Sequence, residues 1–456
     1  MHKMPSCFRI AAAVVALTAV LLAGCSKDSS ADLSDLLSTV PAEADAVITF
    51  DLGNLVRKAG CKVDDGKIEL SEAMTSAVAG IKDPEAKKML SDMVGGKSGV
   101  ELTSVVIFTQ GYRTYMTGLL SDPDAFRKFT ESREAGSGFS DRDGISCSRT
   151  AAVKGNQFWI VSAGDLDPLD VKVFATLQES KSFSAGESAD LILGSKDDVC
   201  GLVSVSSPLI GFSDMATQMQ AQMALQSLFD DAAFFDFGVS FGKGKMTGRA
   251  RVLDGKLKPA RSNLPLGKVD GSTVKLSGGS GDSGLAIGLP AKAVEKIGAL
   301  LAKTGGIGKL YQEIIAPVDG TVAFMIGSDS GDGSVPPLEG VIATRGNGLS
   351  ALASAADQFG LKWRMDGSNM ILSSEVKPQG QITPDMLAKE SAGTVVAYMA
   401  GSKALQSRIG ATSLPVSTLA LRLKPSGGSL EAEIEVKGKS DDQQILAAFL
   451  TEMFRR

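Results

Sequence analysis

Hydrophobic and polar residues follow two patterns along this chain. Short runs that alternate with period two, such as residues 46–52, predict strands, whereas apolar residues three or four positions apart predict helices. Asp-Pro pairs at 83–84 and 122–123 mark two helix starts, because aspartate caps a helix and proline suits its first turn. Strand pairs joined by glycine turns recur, as in residues 241–252. The pattern predicts an α+β fold of mainly antiparallel sheets with helices packed on one face.

The predicted elements recur in the same order, which indicates two similar halves at residues 40–262 and 263–456. A helix, a polar turn and an apolar strand that begin at Asp190 return at Asp385, an offset of 195 residues (385 − 190). At this offset Val203 and Tyr398 should hold matching positions, since a slip of one residue would turn every side chain to the other face. An internal duplication explains the order, and convergent patterning stays open as the alternative. Two such halves are expected to meet across a groove.

The start of the chain has the pattern of a lipoprotein signal peptide, predicted to span residues 1–24. Lys3 and Arg9 precede an apolar run at 10–22, which has signal-peptide length and is short for a membrane span. The run ends in Leu-Ala-Gly-Cys, typical of a lipobox, so Cys25 is the predicted lipidation site. Acyl chains on Cys25 would hold the protein on a membrane without spanning it. The polar residues 25–39 predict a flexible tether.

Charge and histidine content exclude several classes of function. The chain has 47 Lys+Arg and 52 Asp+Glu, and removal of Lys3 and Arg9 with the signal leaves 45 − 52, a net charge of −7. A mildly acidic chain without a basic stripe argues against nucleic acid as a partner. The single histidine is His2, within the signal. The mature chain therefore lacks the base of Ser-His-Asp or Cys-His catalysis and any histidine metal ligand.

Three cysteines remain once Cys25 is acylated, namely Cys61, Cys147 and Cys200. An odd number cannot all pair, so at most one disulfide can form among them, and we expect the thiols to be mostly reduced. None has the C-x-x-C spacing of a zinc or redox motif. Cys200 lies in an apolar strand and is read as a small buried side chain.

The residues Val-Pro-Ala-Glu-Ala-Asp-Ala-Val-Ile-Thr-Phe-Asp at 40–51, after the lipobox and before a short helix, are similar to the opening of a known family. The chain resembles an uncharacterised family of Bacteroidota lipoproteins, the domain-of-unknown-function family 4836. The order of the later elements fits over most of the mature chain. The resemblance implies an envelope lipoprotein of unknown activity, and it brings no catalytic residues.

Two glycine-rich stretches resemble phosphate-binding motifs without meeting their requirements. Residues 279–284 match G-x-G-x-x-G, but a strand follows where a nucleotide-binding helix should begin, so we read them as a linker. The Gly-Asp-Ser-Gly within them resembles a serine-protease nucleophile segment, yet no histidine base exists in the mature chain. Residues 95–98 resemble the end of a phosphate loop, but Ser91 replaces the required glycine.

Other candidate ligand groups are more simply structural. Met215, Met219 and Met223 could bind a soft metal or form an adaptable apolar groove, but we interpret them as a helix face packed on a sheet. Several aspartates have neither the spacing of a calcium loop nor that of paired catalytic carboxylates, and we read them as turns, strand ends and helix caps. These are Asp329, Asp332, Asp141, Asp143, Asp45 and Asp51.

The sequence therefore predicts a lipid-anchored cell-envelope protein with a non-catalytic binding or assembly role. No catalytic, cofactor or metal site is predicted, and the expected partners are the membrane, through Cys25, and an envelope ligand or protein. Ser26 after the cysteine favours the outer membrane, with the leaflet left open. A hydrolase using carboxylates or a Ser-Lys pair, and a purely structural scaffold, stay open as alternatives. Converging carboxylates would favour the hydrolase, and an open apolar groove would favour binding.

Overall fold

The computed structural model describes residues 29–64, 67–81, 84–133, 138–162, 164–207, 225–302, 306–328, 336–346, 348–390, 392–400, 416–426, 428–440 and 445–447. Several residues named above lie outside these ranges: Cys25, Asp83, Met215, Met219, Met223, Asp329 and Asp332.

The described residues before 263 contain seven α-helices with both ends described, helical residues at 225–228, two short 3-10 helices at Glu179–Lys181 and Phe183–Ala185, and twelve strands. In chain order the seven α-helices and twelve strands are α1 Ser29–Ser38, β1 Ala46–Asp51, α2 Leu52–Lys58, β2 Lys62–Asp64, β3 Lys67–Glu69, α3 Glu72–Ala79, α4 Pro84–Val94, β4 Val100–Gln110, β5 Arg113–Leu120, α5 Pro123–Glu131, β6 Ser140–Arg142, β7 Ile145–Cys147, β8 Ala151–Lys154, β9 Gln157–Val161, α6 Pro168–Phe174, α7 Glu187–Leu193, β10 Val199–Ser204, β11 Ala232–Gly242 and β12 Lys245–Asp254.

The second half repeats much of this order. Its elements are α8 Gly271–Lys275, β13 Ser283–Leu289, α9 Ala291–Ala302, α10 Gly306–Ile315, β14 Val318–Ile326, β15 Leu338–Thr344, α11 Ser350–Gln358, β16 Lys362–Asp366, β17 Asn369–Ser373, α12 Pro384–Ala388, β18 Val395–Ala400, β19 Val416–Ser426 and β20 Ser429–Gly438.

The fold is α+β, and one large antiparallel sheet runs through both halves. The first half contributes the order β12-β11-β10-β1-β4-β5-β9-β8-β7-β6, and the second contributes β20-β19-β18-β13-β14-β15-β17-β16. Pairing of β12 with β20 joins them edge to edge. The expectation of a separate sheet in each half is therefore wrong, because each half ends in a long edge strand that the other half covers.

Helices lie on both faces of the sheet, so the prediction of helices on one face is also wrong. In the first half, Ile48 and Phe50 point to a core that includes α2–α5, which we call the front core. Their neighbour Val47 points to the opposite, back core, which includes α1, α6 and α7. In the second half α9, α10 and α11 pack on one face, and α8 and α12 on the other. Strands apolar at consecutive positions require cover on both sides.

Corresponding strands of the two halves have the same lengths at several places. β11 and β19 each have 11 residues, β12 and β20 have 10, β10 and β18 have 6, and β9 and β17 have 5. Alignment of β10 with β18 gives an offset of 395 − 199, or 196. Val203 shares a face with Val199, which packs on the front core, whereas Tyr398 belongs to a back core. The predicted match of Val203 with Tyr398 is thus wrong by one residue, the slip that reverses faces.

The predicted tether differs from the structure. Residues Ser29–Ser38 form α1, whose Leu36 and Leu37 are completely buried in the back core. Spacing of Leu33, Leu36 and Leu37 on one helical face explains this docking. At most residues 25–28 are left to link Cys25 to the folded chain.

Several local predictions are confirmed. Asp122 caps α5 through hydrogen bonds from the backbone N–H groups of Asp124 and Ala125, and Pro123 follows it. Asp51 ends β1 and caps α2. The thiols of Cys61, Cys147 and Cys200 are free and buried. Burial raises the pKa of all three thiols, which keeps them in the neutral form.

Candidate functional site

The four strands β11, β12, β20 and β19 lie where the two halves meet, and we call them the central strands. Their pairing is continuous, with β11 on β12, β12 on β20, and β20 on β19. Arg249 of β12 lies opposite Glu433 of β20, a separation of 184 residues, which equals the offset between the starts of β11 and β19 (416 − 232). The fifth residue of β12 and the fifth residue of β20 therefore face each other at this point.

Between the strand ends, one face of the central strands carries only apolar or glycine residues, and we call it the apolar face. It is the front face, because Val239 lies opposite Val199, which packs on the front core. The period-two alternation of side chains assigns fifteen residues to it by register, with Asp254 and Pro425 beyond them at the strand ends. They are Phe235, Phe237, Val239, Phe241, Met246, Gly248, Ala250, Val252, Leu430, Ala432, Ile434, Val436, Leu419, Leu421 and Leu423.

The apolar face is incompletely covered, although it lies in the middle of the sheet. Most of its side chains are partly exposed, and Ile434 is 41% exposed. The two middle strands carry the small residue Gly248 and larger residues such as Met246 and Ile434. The ring of Phe237 lies over Gly201 of β10, where a Cβ atom would come within 2.8 Å of it. The face is therefore an apolar surface built from side chains of different sizes.

The opposite face of the same strands is charged. In the first half, Asp236 is nearly buried and accepts from Arg251 Nε at 2.6 Å and from Arg249 Nη1 at 3.2 Å. Arg249 also donates to Asp197 at 3.0 Å, and Asp197 accepts from the hydroxyl of Ser240 at 2.7 Å. Burial alone would raise the pKa of Asp197, but these hydrogen bonds and the guanidinium charge hold it below its ordinary value.

A second ion-pair cluster lies on the charged face of the other half. Arg422 Nη2 is 2.8 Å from Glu390 Oε1 and donates to the hydroxyl oxygen of Tyr398 at 3.0 Å. Tyr398 in turn donates to Glu390 at 2.9 Å. Burial opposes ionisation of Glu390, yet the bonds from Arg422 and Tyr398 lower its pKa below the ordinary value. Because each carboxylate is matched by a cation, this cluster neutralises itself and is suited to a structural role.

Among the described residues, most of the motifs and aspartates singled out in the sequence lie away from the central strands and from one another. Gly284 lies in β13, and a strand follows the glycine-rich stretch as expected for a linker. Asp141 lies in β6, whereas residues 143–144 form the turn between β6 and β7, and Asp143 pairs with Lys172. Asp45 accepts from the backbone N–H of Gly111, at the opposite end of β1 from Asp51. None of these residues contributes to the central strands.

Neither a metal-binding cluster nor a membrane-spanning helix is found among the described residues. No group of three or more His, Cys, Asp or Glu side chains in this part of the chain is placed to hold a metal ion. No helix within the described ranges is long and apolar enough to cross a membrane.

The apolar face was missed at the sequence level, although its signal is legible. Residues 431–435 read Glu-Ala-Glu-Ile-Glu, and residues 249–251 read Arg-Ala-Arg, both with strict alternation. Alternation of this kind indicates a strand with one solvent-exposed face. It does not identify the partner strand. The pairing of β12 with β20 brings the apolar sides of the four central strands together.

Comparison with known proteins finds little. No protein-family profile matches the chain, and no functionally curated protein matches it. Among solved structures it is similar to crystal forms of a protein titled TP0453. Form IV has a TM-score of 0.30 at 11% identity over 48% of this chain and 79% of that one. Form III has a TM-score of 0.30 at 10% identity over 78% and 96%. At these values the likeness supports no inference about fold or function.

Proposed function

We propose that this protein is a lipid-anchored cell-envelope protein that binds an apolar ligand, of the acyl-chain class, on the apolar face. The observation that carries the proposal is that all fifteen residues of this face are apolar or glycine, yet the face stays partly exposed. Exposed apolar patches of this extent typically mark sites of interaction.

The chemistry of the face favours an acyl chain over a polar ligand or an added strand. Its side chains offer no hydrogen-bond donor or acceptor, so they can select only for apolar shape. The backbone groups of β12 and β20 are paired on both sides, which leaves no edge there for a peptide strand. Four strands at about 4.8 Å spacing give a floor about 15 Å wide. This width suits one or two extended hydrocarbon chains.

The anchor in this proposal is Cys25 at the end of the lipobox, with the outer membrane as its location and the leaflet open. Its support is the sequence 22–25 and the short distance to the folded chain, since α1 begins four residues after Cys25. Membership of the Bacteroidota lipoprotein family that residues 40–51 resemble is part of the same proposal. No catalytic step is included, because the carboxylates of the charged face described above are engaged with arginine.

We also propose that the two halves arose by internal duplication. The shared order of the strands, the equal lengths of four strand pairs and the facing of Arg249 with Glu433 support it. Under this proposal the apolar face formed when two copies of one edge strand paired. Each copy then contributed half of the ligand-binding floor.

The binding proposal is tested with cis-parinaric acid, whose fluorescence rises in apolar surroundings. Ile434→Glu places a charge on the most exposed part of the apolar face and should weaken binding at least tenfold. Thr418→Glu is the matched control, because Thr418 lies on the opposite face of neighbouring β19, opposite Lys437. Equal binding by both variants and the unmodified chain would refute the proposed site. No saturable binding by any of them would favour the scaffold alternative.

A further inference from the structure

Lysines gather at one end of the central strands. Lys245, the first residue of β12, lies directly opposite Lys437 of β20, and Lys243 is in the turn that precedes Lys245. All three side chains are exposed, and Lys437 is 3.2 Å from Glu435. Like charges directly opposite each other on paired strands are destabilising. Because this pair of lysines does not stabilise the sheet, we consider whether it binds something outside the fold.

Elsewhere between β12 and β20, opposite charges face each other. Arg249 lies opposite Glu433, and Arg251 lies opposite Glu431. β12 thus presents a cation to an acid of β20 at two of the four charged-face pairs, and Thr247 lies opposite Glu435 at a third. Only the terminal pair, Lys245 with Lys437, matches two charges of the same sign. The exception is confined to the end of the sheet, where it faces solvent.

The start of α1, which follows the proposed anchor at Cys25, lies at this same end of the sheet. In the antiparallel order, β4 begins, β11 ends, β12 begins and β20 ends on this side. Asp32 in α1 interacts electrostatically with Glu101 at the start of β4, so α1 begins here as well. The four residues from Cys25 to Ser29 reach at most about 14 Å. The lipid would therefore hold this end of the sheet close to the membrane surface.

Of the acidic groups described at this end, Glu435 pairs with Lys437 at 3.2 Å, whereas Lys243 and Lys245 have no ion pair to a described residue. Asp92 is paired with Lys97 and Arg133, and Asp124 is paired with Arg127. Asp32 and Glu101 lie beside β4, four strands away from β12, or about 19 Å at the usual strand spacing. At physiological salt, charges are screened beyond about 8 Å. The lysines therefore present a local positive potential.

We propose that Lys243, Lys245 and Lys437 contact the anionic phospholipid headgroups of the membrane that holds the lipid anchor. This inference rests on the proposed anchor at Cys25. It fixes the orientation of the molecule, with the ends of the central strands against the membrane. The apolar face then opens next to the lipid surface, where acyl chains are available.

The test uses the full mature chain with Cys25→Ser, so that no acyl group contributes, and sedimentation with lipid vesicles. Vesicles of phosphatidylcholine are compared with vesicles of equal parts phosphatidylcholine and phosphatidylglycerol. We expect binding to the anionic vesicles only, weakened by salt. Lys243→Gln with Lys245→Gln should reduce it about 25-fold, at about fivefold per lysine.

The matched control is Lys256→Gln with Lys258→Gln, which removes the same charge from exposed lysines beyond the other end of β12. This variant should bind as the parent does. Equal loss in both double variants, or no preference for anionic vesicles, would overturn the proposal. Parinaric-acid binding in the same samples separates the two proposals. Its retention without vesicle preference refutes the headgroup contact alone, and its absence with vesicle binding intact refutes the acyl-ligand proposal alone.

Discussion

The ion pair between Lys58 and Asp198 is strongly asymmetric, and the asymmetry predicts the results of mutation. Asp198 is fully buried, whereas the Lys58 side chain is 31% exposed. Asp198 accepts from Lys58 at 2.7 Å, from Asn54 Nδ2 at 3.0 Å and from the backbone N–H of Phe241 at 2.6 Å. These bonds tie α2 to the end of β11. Removal of either charge should therefore destabilise the fold, but by different amounts.

Lys58→Met leaves a buried carboxylate without its cation, which costs about 3–5 kcal/mol in comparable pairs. Asp198→Asn leaves a lysine that can turn into water, and the amide oxygen can still accept from Phe241, so we expect about 1–2 kcal/mol, the value of one or two weakened hydrogen bonds. Urea titrations of the two variants and the parent at pH 7 measure both. A larger loss for Asp198→Asn than for Lys58→Met would refute the reasoning.

Three further predictions are tested with standard assays. Cys25→Ala should abolish incorporation of a palmitate analogue, and persistent label would exclude this residue as the anchor. Alkylation without reduction should modify the thiols of Cys61, Cys147 and Cys200 only after unfolding. A single modified thiol would indicate a disulfide between the other two. The lowered pKa values of Asp197 and Glu390 add stability that is complete above their unfolded values of about 4 and declines as pH falls through the folded values. Urea midpoints from pH 7 to pH 3 should show this decline, less steeply in Glu390→Gln, and an unchanged slope would contradict the assignment.

Local structure followed from the sequence where a few neighbouring residues decide it. The helix start at Asp122 and the cap at Asp51 depend on one side chain and the next backbone N–H groups, and both were predictable. The burial of Cys200 followed from its apolar strand. The helix α1 was missed because its polar residues outnumber its leucines. Its docking depends on a core formed by distant strands.

The candidate site could not be predicted from local pattern alone. Alternation in residues 431–435 shows that one side of a strand is apolar, but the partner of that side is some 180 residues away, in β12. The register between the halves could not be predicted for the same reason. Similar residues align at an offset of 195, whereas alignment of strand β10 with strand β18 gives 196. The hydrogen bonds of the sheet decide which face each side chain takes, and they are not visible in the sequence.

The central claim is that acyl chains bind on the apolar face, and photo-crosslinking tests it most directly. A fatty acid with a terminal diazirine is bound to the protein, irradiated and located by peptide mass spectrometry. We expect crosslinks in β11, β12, β19 and β20, at residues such as Phe237, Leu421 and Ile434, and we expect them to be lost in Ile434→Glu. Crosslinks confined to other elements, or spread evenly over the surface and unchanged in that variant, would contradict it.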